Sequence, residues 1–376
     1  MEGPGLGEIP CGYLLYDDES GRILEVGACE GDGSGGLLLP GMIDGHTHLG
    51  MSEDAMGFEG DDTNETGEAI LPQLRAIDAV NPMDRCFAEA RAAGITCVAT
   101  GPGSADPIGG QFAILKTTGR RVDSMIVRAP ASIKMALGEN PKEMYHSKNQ
   151  LPETRMATAA LIRETLFKAK KYEKAMCDAH REPEDEDDEL PDEPEYDSKL
   201  EALLPLLRRE IPAHIHAHRA DDIFTAIRIA KEFGLRYTII HCTEGALIAD
   251  ELAEEGVQAF VGPLLCDRSK PELKQLSFDT PAVLAGAGVR FGLTTDHSVV
   301  PIQYLPLCAA LAVKAGLPYE NAMRAITIDP AEILGIADRV GSLRPGKDAD
   351  FLLTDGDPLA LTTSVRQVWI NGVPLF

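Results

Sequence analysis

The sequence predicts an α/β fold: a (β/α)8 TIM barrel with a small β-sandwich domain built from both termini. Three observations predict it. Eight strand-like segments alternate with helical ones through the middle of the chain. Short β segments bracket both ends. Residues able to bind a metal fall at or near the C-terminal ends of the central strands, where barrels of this kind carry their chemistry.

The elements follow in order. Residues 11–28 read as two short strands joined by a turn at Asp17 to Gly21. The central strands are expected at 37–44, 95–100, 111–116, 130–137, 212–217, 237–241, 257–262 and 289–295. Helices are expected at 68–80, 82–93, 152–176, 198–209, 221–233, 245–255 and 271–287, some with clear i, i+3/i+4 apolar spacing, as at Ile223, Ile227 and Ala230. Ala349 to Leu353, Val365 to Ile370 and Val373 to Phe376 read as strands, with turn residues at Asp355-Gly356-Asp357-Pro358 and Asn371-Gly372. The expected division is therefore residues 1–36 plus 341–376 for the small domain and 37–340 for the barrel.

Composition narrows the function. The chain has 376 residues and 44% hydrophobic content, enough for a large core. Its net charge of −25 argues against a nucleic-acid partner, which wants basic patches. Much of that charge lies between Asp178 and Asp197, a self-repelling acidic run expected to be an exposed, mobile insertion. No apolar run reaches the ~18 residues needed to span a bilayer. Met1 to Pro10 lacks a basic region followed by an apolar stretch, so no signal peptide is expected. The 8 cysteines are scattered without a C-x-x-C pair and read as reduced thiols of a cytoplasmic protein.

The most informative segment is Leu37-Leu38-Leu39-Pro40-Gly41-Met42-Ile43-Asp44-Gly45-His46-Thr47-His48. Two histidines spaced i, i+2 on a strand share a face and offer two nitrogens to one metal. Such a pair alone is often just polar surface. Here Lys134, His216, His241 and Asp296 follow, each at or near the end of another expected strand. His214, His216 and His218 all share one strand face, and the pattern by itself does not choose among them. Lys116 competes with Lys134, and the strand count favours Lys134. Arg219 and Arg268 follow strands and could grip a substrate carboxylate, although a surface or salt-bridging arginine reads as well at each position. Cys242 reads as a small buried thiol rather than a nucleophile.

These motifs, together with Thr294-Thr295-Asp296-His297 and Gly341-Ser342-Leu343-Arg344-Pro345-Gly346-Lys347-Asp348-Ala349-Asp350, resemble the amidohydrolase superfamily over nearly the whole chain. The closest look is to its imidazolonepropionase-like and dipeptidase-like branches. The resemblance implies that His46 and His48 hold a first divalent metal, zinc by preference. It implies that His216 and His241 hold a second, and that Lys134, carboxylated, bridges the two. Asp296 would touch the first metal and serve as general base and acid toward an activated hydroxide. His218, Arg219 and Arg268 are the substrate-binding candidates. The implied activity is hydrolysis of a non-peptide C–N bond in a small amide, cyclic amide, N-acyl amino acid or dipeptide-like molecule. A mononuclear metal-dependent deaminase is the alternative, and a metal-free scaffold relative is a third reading. A small-molecule substrate is the expected partner, with neither nucleic acid nor membrane. Homo-oligomers are common in the family.

Overall fold

The computed structural model describes residues 7–31, 36–183, 185 and 187–375. Residues 1–6 and 32–35 of the expected terminal domain, Glu184 and Glu186 of the acidic run, and Phe376 lie outside the described residues.

The strands are β1 Gly12–Asp17, β2 Arg22–Ala28, β3 Leu37–Pro40, β4 Met42–Thr47, β5 Ile95–Thr100, β6 Ile108–Lys116 and β7 Ile126–Ala136. They continue with β8 Ala213–Ala217, β9 Tyr237–His241, β10 Gln258–Val261, β11 Arg290–Leu293, β12 Phe351–Thr354, β13 Val365–Ile370 and β14 Val373–Pro374. The helices are α1 Arg85–Ala92, α2 Glu139–His146, α3 Arg155–Ala179, α4 Ser198–Leu207 and α5 Ala220–Phe233. The remainder are α6 Ala249–Glu254, α7 Thr280–Ala287, α8 Leu305–Lys314, α9 Tyr319–Ala325 and α10 Ile328–Ile333.

Strands β4 to β11 form one eight-stranded sheet in sequential order, the nearly closed barrel that the sequence predicts. β4 and β11 complete the ring through side chains rather than a ladder. The Thr294 hydroxyl donates to Asp44 Oδ1 at 2.7 Å, and the Thr295 N–H and hydroxyl donate to Oδ2 at 3.0 and 2.6 Å. The His48 N–H adds a bond to the His297 carbonyl at 2.7 Å. Asp44 is thus a buried latch; burial pushes its carboxyl up to about 6, against the pull of the threonine hydrogen bonds.

Four expectations are corrected. Regular alternation fails early, because β6 runs antiparallel to both β5 and β7 and no crossover helix separates these three strands. The expected helix 68–80 is instead irregular, with one short turn at Ala76–Asp78. Pro72 interrupts a helical ladder there, and the Leu71 N–H and Leu74 carbonyl bond to β6 instead. The expected strand 37–44 is two strands, β3 pairing with β12 in a terminal sheet and β4 with β5 in the barrel. They part at Gly41, where a Cβ would lie 2.0 Å from Thr96 Oγ1. The expected helix 271–287 likewise divides into a short turn at Pro271–Leu273 and α7, whose early Pro281 suits a first turn and not an interior.

The terminal segments form a two-stranded sheet β1-β2 and a four-stranded sheet β14-β13-β12-β3. The acidic run begins inside α3, which continues to Ala179. Inside the barrel, Ile43, Phe112, Ile114, Ile240 and Phe260 pack on Ile333, Leu334, Ile336 and Val340 near the chain's last helix. Gly45 makes room for Phe260, since a Cβ there would sit 1.9 Å from that ring. This apolar plug floors the barrel, so polar chemistry is confined to one mouth. A second core, including Leu166, Leu203, Ile215, Ile239 and Leu252, seals the helices onto the outer face. Among the described residues, no helix is long and apolar enough to cross a membrane.

Candidate metal centre

Strand alternation delivers the first residues. On β7, Ser132 and Lys134 alternate with Ile133 and Met135, which belong to the outer core. On β8, His214 and His216 alternate with Ala213, Ile215 and Ala217, which also face outward. His241 breaks this rule. Ile239 faces the outer core and Ile240 the inner plug, so His241 should point out again. It adopts φ 75° instead, in the left-handed region, and enters the mouth. Asp296 does the same with φ 53°. Both are non-glycine residues in a sparsely populated conformation, a cost that marks functional sites.

Two groups of potential ligands result. His46, His48 and Asp296 form one, and His216, His218 and His241 the other, with one ligand atom from each residue within 4.8 Å of its groupmates. Asp296 Oδ1 lies 3.4 Å from His48 Nε2 and 3.7 Å from His46 Nε2. In the second group the ring centroids are 4.3–4.7 Å apart. Lys134 is fully buried and its Nζ lies 2.9 Å from His46 Nε2.

Backbone carbonyls aim two of these rings. His48 Nδ1 lies 2.7 Å from the Gly101 carbonyl, and His241 Nδ1 lies 2.7 Å from the Gly262 carbonyl. A carbonyl only accepts, so each Nδ1 carries a proton, and in a neutral ring Nε2 then presents its lone pair to the centre. Burial drives the imidazoles of His46, His214, His216, His218 and His241 down, His214 to about 3 and His241 to about 4. They are therefore neutral, the form that binds metal. Burial also lowers Lys134 to about 7, with Asp296 opposing that effect.

The three candidates His214, His216 and His218, on β8 and just past its end, are now distinguishable. His216 and His218 join His241, while His214 sits deeper, between the rings of Phe112 and Phe260 at 5.5 and 5.9 Å. Lys116 is remote from the centre, paired with Asp348 and Asp350. Arg219 and Arg268 are not brought into the cavity lining. Arg219 grips the exposed Asp221 at 2.8 and 2.9 Å, and Arg268 donates to the Leu276 carbonyl at 2.6 Å.

The mouth opens into a cavity of about 660 Å3, lined by His48, His216, His218 and Asp296 among others. That volume suits a small molecule. Its lining also holds Asn140 and Lys270, which sequence reading passed over. Behind them lies the buried Glu272, whose Oε1 is 2.6 Å from Lys270 Nζ. These three come from loops or a helix start after β7 and β10, where no periodicity signals a role. The run of charges around Arg268, Lys270 and Glu272 was the one available sign.

Comparison with known proteins agrees with this architecture. The model of the Amidohydrolase family matches residues 37–375. A solved amidohydrolase from Thermotoga maritima is 41% identical, with a TM-score of 0.90 over 96% of this chain and 94% of that one. The amidohydrolase tasK of Hapsidospora irregularis is 30% identical over 98% of this chain, which spans only 38% of that protein's length. An imidazolonepropionase from Sphingopyxis alaskensis is 25% identical, covering 96% of this chain and 91% of its own.

Proposed function

We propose, from the premise that this chain belongs to the amidohydrolase family, that it hydrolyses a non-peptide C–N bond in a small molecule with the help of bound divalent metal. The substrate class is a small amide, cyclic amide, N-acyl amino acid or dipeptide-like compound. The observation that carries this reading is the meeting of hydrogen-bond acceptors at the barrel mouth. Asp296 Oδ1 is buried without a hydrogen-bond partner, 3.4 Å from His48 Nε2 and 3.7 Å from His46 Nε2. A carboxylate oxygen and imidazole nitrogens gathered this closely at the cavity wall are a donor set suited to a divalent cation.

The residues fit two ions, with zinc suited to histidine nitrogen and carboxylate oxygen. His46, His48 and Asp296 would hold one, and His216 and His241 the other. Lys134, as a carbamate, would offer an anionic oxygen to both; an unmodified ammonium has no lone pair to give. A divalent ion bound here supplies a water of lowered pKa and polarises the scissile carbonyl. Asp296 then takes the proton of the attacking water at a carboxylate oxygen and delivers it to the leaving nitrogen. The apolar plug below keeps bulk water from the floor of the site. The expected division of the chain into a barrel at 37–340 and a terminal domain at 1–36 plus 341–376 stands as part of this proposal, with β3 joining the terminal sheet. So does the substrate-binding role of His218.

The test is a screen of protein purified without chelator against N-acyl amino acids, cyclic amides and dipeptides, following release of carboxylate and amine. Turnover that disappears on chelation and returns with zinc is expected. Release of ammonia from aminopurines alone would move the assignment to a deaminase. Failure to cleave any C–N bond after metal loading would remove it.

A further inference from the structure

We propose that Cys11 and Cys29 are a reversible redox pair, whose oxidation to a disulfide closes the open end of the β1–β2 hairpin. The oxidant is a small-molecule disulfide of the glutathione type.

The register of the hairpin brings the two thiols together. Gly12 pairs with Ala28 and Tyr13 with Gly27, so Cys11 and Cys29 are the next facing positions, one step outside the strands. The Cys29 N–H donates to the Cys11 carbonyl at 3.0 Å and carries the ladder out to them. Facing residues of an antiparallel pair have Cα atoms about 4.5–5.5 Å apart, within the span of about 4.4–6.8 Å that a disulfide bridges. Their side chains lie on the same side of the sheet. Here the two Sγ atoms are 3.3 Å apart. A sulfur–sulfur bond of about 2.0 Å is reached from there by rotating side chains, without a new backbone path. Gly31 keeps the space open, since a Cβ there would lie 3.2 Å from Cys11 Sγ.

Access separates this pair from the other cysteines. Cys29 is exposed and Cys11 half-buried, so an oxidant in solution reaches both. Cys86, Cys97, Cys242 and Cys308 are buried, and burial pushes each of these thiols up to about 12, away from the reactive thiolate. Cys177 and Cys266 are also open to solvent, but Cys177 lies on α3 and Cys266 follows β10. Spacing alone hides the pair, because its members are 18 positions apart and meet only when the hairpin forms.

The disulfide would act at the end of the hairpin opposite its turn. Near the turn, the Ile23 N–H donates to the Lys347 carbonyl at 2.9 Å and the Ala349 N–H to the Gly21 carbonyl at 2.8 Å. Leu14, Tyr16, Ile23 and Val26 pack there with Leu343, Phe351 and Trp369. A two-stranded sheet is marginal by itself, and its open end is where it frays. A covalent link at that end restricts the fraying.

The exchange balances in two steps. One cysteine loses its proton, and its thiolate attacks a sulfur of oxidised glutathione, forming a mixed disulfide and releasing one reduced glutathione. The other cysteine, deprotonated in turn, attacks the protein sulfur of that adduct and expels the second glutathione. Two protons and two electrons pass from the protein to the oxidant.

Full-length protein in buffers of graded oxidised-to-reduced glutathione ratio, followed by intact mass and peptide mapping, tests this. The expected product has lost two hydrogens and links the Cys11 peptide to the Cys29 peptide, at ratios where Cys177 and Cys266 remain thiols. Excess reduced thiol should reverse it. Amide hydrogen exchange within β1 and β2 should slow by up to ~100-fold on oxidation, the scale set by closing a loop of this length. Cys11→Ser should stop at a glutathione adduct on Cys29, and Cys29→Ser at one on Cys11. A parent chain that accumulates a stable adduct on either cysteine overturns the proposal. So do disulfide-linked dimers through these residues, or Cys11 and Cys29 still reduced when Cys177 is fully modified.

Discussion

Lys116 and Lys134 are both buried in the barrel, in opposite electrostatic situations. Lys116 Nζ is ion-paired with Asp348 at 2.9 Å and with Asp350, and Arg22 and Arg339 close the other sides of Asp348 at 2.7 and 2.8 Å. Burial alone would lower the Lys116 ammonium, yet Asp350, Cys97 and Asp348 hold it above its ordinary value. Lys134 has no carboxylate within ion-pair distance among the described residues, its near neighbour is an imidazole, and burial brings it down to about 7. One cluster is closed and self-compensated; the other is an excess of acceptors around an amine that its surroundings do not want charged. The first has the character of a fastener between barrel and terminal sheet. The second gathers buried titratable groups with displaced pKa values at the barrel mouth, which marks it as a candidate functional site.

Substitutions should separate the two clusters. The largest effect is expected on catalysis at the open one: Asp296→Asn should lower kcat/KM by ~10^2–10^4-fold, with no loss in thermal stability. Stability measurements should show the reverse order for the lysines. Lys116→Met leaves Asp348 and Asp350 buried with less countercharge and should cost ~3–5 kcal/mol in denaturant unfolding. Lys134→Met removes an amine that is costly to bury charged, so the unfolding midpoint should hold or rise while bound metal falls. Equal losses of stability from the two lysine variants would break the comparison.

Strand direction explains why sequence alone left both lysines in play. Apolar runs reveal a strand but not which way it points. Because β6 is antiparallel, its C-terminal Lys116 faces the terminal sheet, while Lys134 near the end of parallel β7 faces the mouth. His46 and His48 were legible because i, i+2 spacing on an apolar strand has one simple outcome. His241 and Asp296 were legible by strand-end position, although their left-handed φ values were not. Glu272 left only a local run of charges as a sign, since a carboxylate folded back from an irregular loop leaves no periodic trace. Arg219 and Arg268 misled because closeness to a strand end does not fix the direction of a long side chain.

Two smaller effects sharpen the contrast between closed and open polar groups. Thr295→Val removes a hydroxyl donor from the buried Asp44 latch and should cost ~1–3 kcal/mol, read by urea unfolding. Asp106, buried and accepting from the Tyr145 hydroxyl at 2.5 Å, is pushed by burial to about 7. Its folded pKa lies above the unfolded value near 3.8, so the folded state holds the extra proton between them. Stability from this group is therefore full at low pH, falls as pH rises from about 4 to about 7, and is flat above. Asp106→Asn should remove that slope and gain ~1–2 kcal/mol at pH 8 relative to the parent. An unchanged pH profile would show that Asp106 is ionised in the fold.

The central claim is that the barrel mouth is a cation site. Elemental analysis of protein purified without chelator tests it most directly, on the parent beside His46→Asn, His241→Asn and Lys116→Met. Divalent metal in the parent, reduced in both histidine variants and retained in the folded fraction of Lys116→Met, is the predicted result. A parent chain that stays metal-free after incubation with zinc and bicarbonate, or histidine variants that keep a full complement, would contradict it.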